Sequence, residues 1–404
     1  MNIVISTLQK KPLEVVERKG TGHPDTLCDS LAELLSVTYS KYTLKNFSAI
    51  LNHNFDKLIM MGGITEVKFG YGKIISPIRV VINGRASTSF GNIKIPVQDL
   101  LIAATKRFLQ KNLPMVDPDK NIKIFFEVSD GSSPGAVNTS PKSTRQYWFQ
   151  PRNLADITNH KLPKCNDTSS GCGYYPFTQL ENLVLKLELL LNSEKIKKNR
   201  PWLGSDIKIM GHKQNNEVNI TLAVPQMCTC VNDLKTYKNN LEDIFNIVKD
   251  ASHKEAPNLT FNFTLNARDN YDIPELYLTY TGSSIENGDE GCVGRGNRMQ
   301  GLISSYRPFT MEGISGKNPV YHTGKLYCVA SYELAKKLYV KTGIPNEVTL
   351  IGKTGQDLSH PWQINVSFAN DNYEPSEVKQ IIASTLDNFS EITNKIIKQK
   401  YRLA

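Results

Sequence analysis

The feature that most limits the fold of this chain is the rhythm of its strand-like runs. Residues 77–83, 122–128, 218–224, 260–265, 276–281, 348–351 and 363–368 alternate apolar with polar side chains. Successive side chains on a strand point to opposite faces, so such runs suit sheets covered on one side only. A doubly wound parallel sheet, buried on both faces, needs continuous apolar strands instead. Between these runs lie helical stripes. Leu27, Leu31, Leu34 and Leu35 follow Pro24, and residues 95–113 repeat the pattern through Leu100, Leu101 and Phe108. Thr178 and Glu181 form a capping box ahead of Leu183, Val184, Leu187, Leu190 and Leu191. Leu234, Leu241, Ile244, Phe245 and Val248 predict another helix, and Val378 to Ile396 a single long amphipathic one. The fold class is therefore α+β, in which sheets pack against helices.

Composition narrows the function. A chain of 404 residues can hold several cores. No apolar run approaches the ~18 residues of a membrane span, and the start of the chain lacks the apolar core of a signal peptide. The seven cysteines include no Cys-x-x-Cys pair, which predicts reduced thiols and a cytoplasmic location. The net charge of +9 fits an anionic ligand, nucleic acid, or a solvated basic surface. There is no basic tail and no aromatic-basic RNA motif, so no nucleic-acid partner is expected.

Four islands carry chemistry. The densest lies between positions 282 and 324, where nine of the 26 glycines are interspersed with Arg295, Arg298, Arg307 and Lys317. Glycines let backbone N–H groups approach a ligand, and fixed cations favour a polyanion such as a phosphate chain. Near the start stands Gly22-His23-Pro24-Asp25. Proline suits the first turn of a helix, and the positive end of that helix would favour anions, with Asp25 able to hold a Mg²⁺ carried by phosphates. Asp167-Thr168-Ser169 with its glycines, and Pro201-Trp202-Leu203-Gly204-Ser205-Asp206-Ile207-Lys208, complete the set. Alternation in the last run points Asp206 and Lys208 to one face. Each island also has a plain reading: a capped turn, a polar loop, a surface ion pair.

Their order changes the reading. Gly-His-Pro-Asp, Asp-Thr-Ser, Pro-Trp-Leu-x-x-Asp-x-Lys, Gly-Asp-x-Gly-x-x-Gly-Arg and Ser-Gly-Lys-Asn-Pro together resemble the S-adenosylmethionine synthetases (methionine adenosyltransferases). Gly294-Arg-Gly-Asn-Arg298, Gly301-Leu-Ile303, Arg307-Pro308, His53-Asn-x-Asp56 and Gly62-Gly63 are similar to the archaeal-type branch. The resemblance runs from about Val15 to Tyr327. It implies ATP and L-methionine as substrates, S-adenosylmethionine as product, and Mg²⁺ and K⁺ as cofactors. It also implies a homodimer with active sites at the subunit boundary, and a tetramer as a further assembly. Three similar two-layer subdomains about a pseudo-threefold axis follow from it, at roughly 1–130, 131–260 and 261–404. A non-catalytic member that binds ATP or S-adenosylmethionine is the alternative.

Residue by residue, the resemblance gives His23 the leaving oxygen and Asp25 the metal. It gives Lys208, Arg295 and Lys317 the phosphates, Asp206 the nucleoside, and Asp167 and Asp289 the amino-acid end. Arg298 stands in for a second cation that many members carry directly after the arginine, where this chain has Gly296. Two further departures, Tyr321 and Ser170, bear on methionine selectivity. Asp56 is the candidate for a second metal carboxylate or for a monovalent-cation ligand.

Overall fold

The computed structural model describes residues 2–9, 12–131, 147–157, 163–310 and 312–404. The stretch 138–164 is polar and rich in Pro, Ser and Asn, which predicts a long excursion, and about half of it lies outside the described residues. Eight α-helices are present among the described residues: α1 (Pro24–Phe47), α2 (Val97–Asn112), α3 (Gln179–Leu191), α4 (Glu194–Asn199), α5 (Leu234–Glu255), α6 (Thr323–Thr342), α7 (Pro375–Leu386) and α8 (Phe389–Ile397). They cover three principal sheets, each over its own apolar core, as alternating strands require.

One sheet runs Ile122–Ser129, Ile78–Ala86, Ile59–Met61, Glu290–Cys292, with α1 and α2 on its core face. The next runs Thr260–Leu265, Glu217–Ala223, Lys208–Gln214, Leu13–Lys19, Ile303–Ser304, under α3 and α5. The last runs Asn2–Thr7, Gln363–Phe368, Asn346–Gly352, Ser169–Tyr175, under α6, α7 and α8. Strands distant in sequence share each sheet: Asn2 is in register with Gln363, and Glu290 with Met61.

Local signals act as expected at several points. His23 caps α1, with its Nδ1 accepting the Asp25 N–H at 3.1 Å, and Pro24 takes the first helical position. Thr178 and Glu181 close both hydrogen bonds of the capping box on α3, at 3.1 and 2.8 Å. Leu27, Leu31 and Leu35 are buried in the first core, each worth about 1.5–3 kcal/mol. Yet α1 is not simply amphipathic. Asp25 and Asp29, on another side, are also buried.

Three expectations are corrected. The long C-terminal helix is two helices, broken at Asp387–Asn388. There the Asp387 N–H closes α7 on the Ala383 carbonyl and the Asn388 side chain donates to Glu391 at 2.8 Å. The bend keeps Val378, Ile382, Leu386, Phe389, Ile392 and Ile396 on one core. The run 276–281 forms only the two-residue strand Leu278–Thr279. The amides of Tyr280 and Thr281 bond the Glu286 carboxylate instead of a strand neighbour. Conversely, the supposed polar loop after Asp167 is the strand Ser169–Tyr175. A side chain on Gly171 or Gly173 would fall 2.1 Å from the Cys328 nitrogen or 2.3 Å from that of Tyr332, so these glycines let the strand lie against α6.

Candidate functional site

The sequence islands fold into two clusters. The first is a cavity of about 730 Å³ between the Gly-His-Pro-Asp turn and the sheet containing Lys208–Gln214. His23, Asp206, Lys208 and Asp289 all line it, together with Glu17, Arg268, Tyr277 and Ser284. Ile207 and Ile209 go into the core, so Asp206 and Lys208 share the opposite side, as alternation predicted. Lys208 Nζ lies 3.3 Å from Glu17. Asp206 is buried and accepts the Ser284 amide at 2.9 Å. The Ser284 hydroxyl sits between Asp206 at 2.6 Å and Asp289 at 2.8 Å. Burial raises the Asp206 carboxyl above its usual range despite the nearby His23 and these hydrogen bonds.

Burial also lowers the His23 pKa, further than Asp206 and Asp25 can restore it. The imidazole is therefore neutral at pH 7. Because Nδ1 accepts the Asp25 amide hydrogen, the ring proton is on Nε2. His23 thus brings one uncharged donor to the cavity.

Asp25 stands behind this wall. Its Oδ2 holds Lys19 Nζ at 2.7 Å, and its Oδ1 accepts the Cys292 amide at 3.0 Å. Lys19 also donates to the Arg295 carbonyl at 2.8 Å. Arg295 itself is exposed and is not among the walls of the cavity. Arg298 turns the other way. Its Nη1 donates to the carbonyls of Gly294 (2.6 Å) and Gly296 (3.1 Å), and it lines a separate cavity of about 360 Å³ with Met299, Leu302 and Phe309.

The second cluster surrounds Lys317. Its ammonium is buried and bonds Glu312 at 2.6 Å, with Asp56 at 3.8 Å. Glu312 also accepts the Ser169 hydroxyl at 2.7 Å, which ties the Asp-Thr-Ser motif to the Lys-Asn-Pro segment. Burial would raise the Glu312 carboxyl, but the hydrogen bond and charge of Lys317 carry it below the usual range. Asp56 shifts the same way, against burial, through Lys57 and Lys317. His322 lies nearby, its pKa lowered to about 3 by burial and the Lys317 charge. Its Nδ1 has no hydrogen-bond partner among the described residues. Asp167 is exposed at the edge of this cluster.

Lys317 and Asp167 therefore do not line the cavity of His23 within one chain. Glu17, Arg268, Ser284 and Glu312 are functional candidates that no local motif marked. Only their places in the fold, in the cavity lining or beside Lys317, reveal them.

The family profile described as S-adenosylmethionine synthetase (AdoMet synthetase) matches residues 1–400. The chain belongs to the S-adenosylmethionine synthetase family. It is thus an enzyme of the methionine adenosyltransferase class. The S-adenosylmethionine synthase of Caldivirga maquilingensis is 36% identical over 97% of this chain and 96% of its own length. That of Pyrobaculum aerophilum is 35% identical over 99% of this chain and all of its own. Among solved structures, an unusual S-adenosylmethionine synthetase from Campylobacter jejuni matches 97% of this chain and 90% of its own, with a TM-score of 0.56 at 16% identity. That likeness shows the α+β fold.

Three departures from the synthetase pattern now have a physical setting. A side chain on Gly296 would fall 2.4 Å from Asp29 Oδ2, so this chain has no room for a cation there. Tyr321 is buried and is not among the walls of the His23 cavity. Ser170 pairs with Ile351 inside the strand that follows Asp167. Among the described residues no three His, Cys, Asp or Glu side chains form a metal cage, and both Asp25 oxygens already have partners. This donor set fits an ion that arrives with phosphates and takes one carboxylate from the protein.

Proposed function

We propose that this protein makes S-adenosylmethionine from ATP and L-methionine. The methionine sulfur uses its lone pair to form a bond to ribose C5′. The C5′–O5′ bond breaks, and its electron pair leaves on the triphosphate. Water then cleaves the triphosphate to pyrophosphate and phosphate. A thioether sulfur carries no proton, so the attack needs no general base. The barrier lies in the charge that grows on the departing oxygen, and fixed donors and cations lower it.

The observation that carries this reading is the joint placement of His23, Asp206 and Lys208 in one cavity. His23 offers its Nε2–H to the leaving oxygen. Lys208 supplies a point charge to the phosphates, and Asp206, with Ser284, holds the nucleoside. Arg295 supplies a further cation to the polyphosphate. Mg²⁺, when bound through Asp25, would neutralise phosphate charge. K⁺ is expected as a second cofactor, with Asp56 the candidate ligand.

Lys317 and Asp167 belong to the same chemistry through a second copy of the chain. The His23 cavity opens on the sheet face away from α3 and α5, where Met210, Asn219 and Thr221 are exposed. A symmetric homodimer pairing such faces would bring the Lys317 cluster of one chain to the His23 cavity of the other. Asp167 and Asp289 then hold the methionine end.

The test mixes the protein with ATP, methionine, Mg²⁺ and K⁺ and follows all products. S-adenosylmethionine, pyrophosphate and phosphate in equal amounts are expected. Tight ATP binding with no methionine-dependent product would instead mark a non-catalytic member of the family.

A further inference from the structure

Three acids of α1 stand at intervals of four residues: Asp25, Asp29 and Glu33. That spacing stacks them on one side of the helix. Opposite them runs the glycine- and cation-rich segment, more than 260 residues later in sequence. Asp29 accepts two of its amides, Gly294 N–H at 2.8 Å and Gly296 N–H at 3.1 Å. These are the two residues that flank Arg295. One turn along the helix, Glu33 accepts the Gly316 N–H at 3.0 Å, immediately before Lys317. The fully buried Lys325 bonds both Glu33 oxygens, at 2.7 and 2.6 Å, and also the Lys317 carbonyl at 2.8 Å. Ser36, on the same helix, donates to that carbonyl at 3.2 Å.

Asp29 and Glu33 are not walls of the His23 cavity. Burying carboxylates is unfavourable unless hydrogen bonds compensate, and a buried ion pair such as Glu33–Lys325 is not by itself a source of stability. What these groups do is fix backbone. A pair of amide hydrogen bonds on either side of Arg295 sets where its Cα sits and which way its side chain departs. The Gly316 amide and the Lys317 carbonyl do the same for Lys317. Gly316 has φ +77°, and a side chain there would meet the Phe55 backbone at 2.9 Å, so this loop has little freedom to adjust. The absence of a side chain at 296 follows from the same arrangement, because Asp29 occupies that space.

We propose that Asp29 and Glu33, the latter with Lys325, are positioning residues that aim Arg295 and Lys317 through their flanking backbone. A single helix thereby sets the geometry of both site clusters. The inference rests on the phosphate-binding roles of those two cations in the reading above.

The test is a pair of double-mutant cycles, with kcat and KM for ATP measured beside the thermal midpoint. Asp29→Asn should lower kcat/KM by about 10²-fold, the loss expected when a reacting group is displaced by roughly 1 Å. In an Arg295→Ala background it should cost almost nothing more, because the group it aims is gone. Glu33→Gln should behave likewise with Lys317→Ala. The crossed pairs, Asp29→Asn with Lys317→Ala and Glu33→Gln with Arg295→Ala, should lose activity additively. Equal losses from Asp29→Asn in the parent and in Arg295→Ala would overturn the inference, as would wild-type kcat/KM in Asp29→Asn. If Arg295→Ala and Lys317→Ala themselves keep wild-type rates, the phosphate-binding reading fails first and the positioning inference fails with it. Should Asp29→Asn not fold, Asp29→Ser carries the same comparison with a smaller acceptor. For the Lys317 arm, Lys325→Met with Glu33→Leu replaces the ion pair by apolar groups, which buried sites often tolerate. It should keep the thermal midpoint while losing kcat/KM.

Discussion

The His23 region and the Lys317 region are built on opposite principles. His23, Lys208 and Asp289 line an open cavity on a sheet face, and Arg295 is exposed outside its walls. Lys317 is buried, bonded to Glu312 and close to Asp56. The open half has room for a nucleotide but few fixed cations. The closed half has a rigid cation whose charge is already answered. The space for a nucleotide and the buried, bonded ammonium of Lys317 lie in different halves, so each supplies what the other lacks. That is the physical argument for a site shared by two copies of the chain.

The strongest attempt to break this comparison uses two inactive variants. His23→Ala and Lys317→Ala should each cut kcat by about 10²–10³, the usual cost of a lost transition-state donor. ATP affinity should fall much less in His23→Ala. Co-expressed, the two variants should regain activity. A mixed dimer of a two-fold assembly has one intact site, so random pairing should restore about a quarter of the wild-type rate. No recovery, in mixtures shown to exchange subunits, would mean that both residues serve the same chain's site and that the shared-site argument is wrong.

A second measurement asks whether the acid that holds the backbone on either side of Arg295 is under electrostatic load. Burial raises the Asp29 pKa from 3.8 to about 6, even though Gly294 and Gly296 donate to it. An acid whose folded pKa is raised binds its proton more tightly when folded. Stability contributed by that proton is present below pH 4 and is lost as pH rises toward 6, by about 3 kcal/mol at most. Asp29→Asn should flatten that part of the stability-against-pH curve, read by chemical denaturation between pH 4 and 7. Activity should move the opposite way, since both amide bonds are best made by the ionised carboxylate. A variant with an unchanged curve would show that Asp29 is not strained.

How much of this was legible in the sequence differs between the two halves in the same way. The His23 turn was readable because capping, proline and helix polarity act within a few residues. Asp206 and Lys208 were readable because strand alternation is local. That the sheets are covered on one face followed from the same rhythm, whereas their number came only with the family resemblance, and the pairing of Asn2–Thr7 with Gln363–Phe368 leaves no local trace. The Lys317 cluster was not readable as a cluster. Glu312 is one acid in a loop, and its meaning comes from Ser169 and Lys317. The separation of Lys317 from His23 depends on how whole sheets pack, which no motif encodes. The break at Asp387–Asn388 escaped because the apolar spacing continues across it.

Gly296→Ala sharpens the comparison at the seam between the regions. The new methyl would fall 2.4 Å from Asp29 Oδ2, so either the carboxylate or the loop must move. Overpacking of this kind typically costs about 1–3 kcal/mol. The loss should appear in thermal stability and in kcat, while Lys317-side behaviour, such as the response to Glu312 substitution, stays as in wild type. Gly355→Ala is the control, because nothing lies near its side-chain position and only its φ of +80° opposes the change.

The smallest expected effect tests the closed half alone. Glu312→Gln removes the charge that answers Lys317 while keeping a side chain able to accept the Ser169 hydroxyl. Lys317 then keeps Asp56, 3.8 Å away, as its remaining acidic neighbour. A hydrogen bond to a charged group is worth about 1.5–3 kcal/mol, and part of that becomes available to an incoming polyanion. Inorganic triphosphate should therefore bind several-fold more tightly to Glu312→Gln, measured by calorimetry at fixed ionic strength. The gain should vanish when Lys317→Ala is added. Weaker binding would mean that Glu312 holds Lys317 in its working position rather than competing with phosphate for it. In that case the closed half is rigid because its acids keep it so, and the shared site would need both charges of the pair.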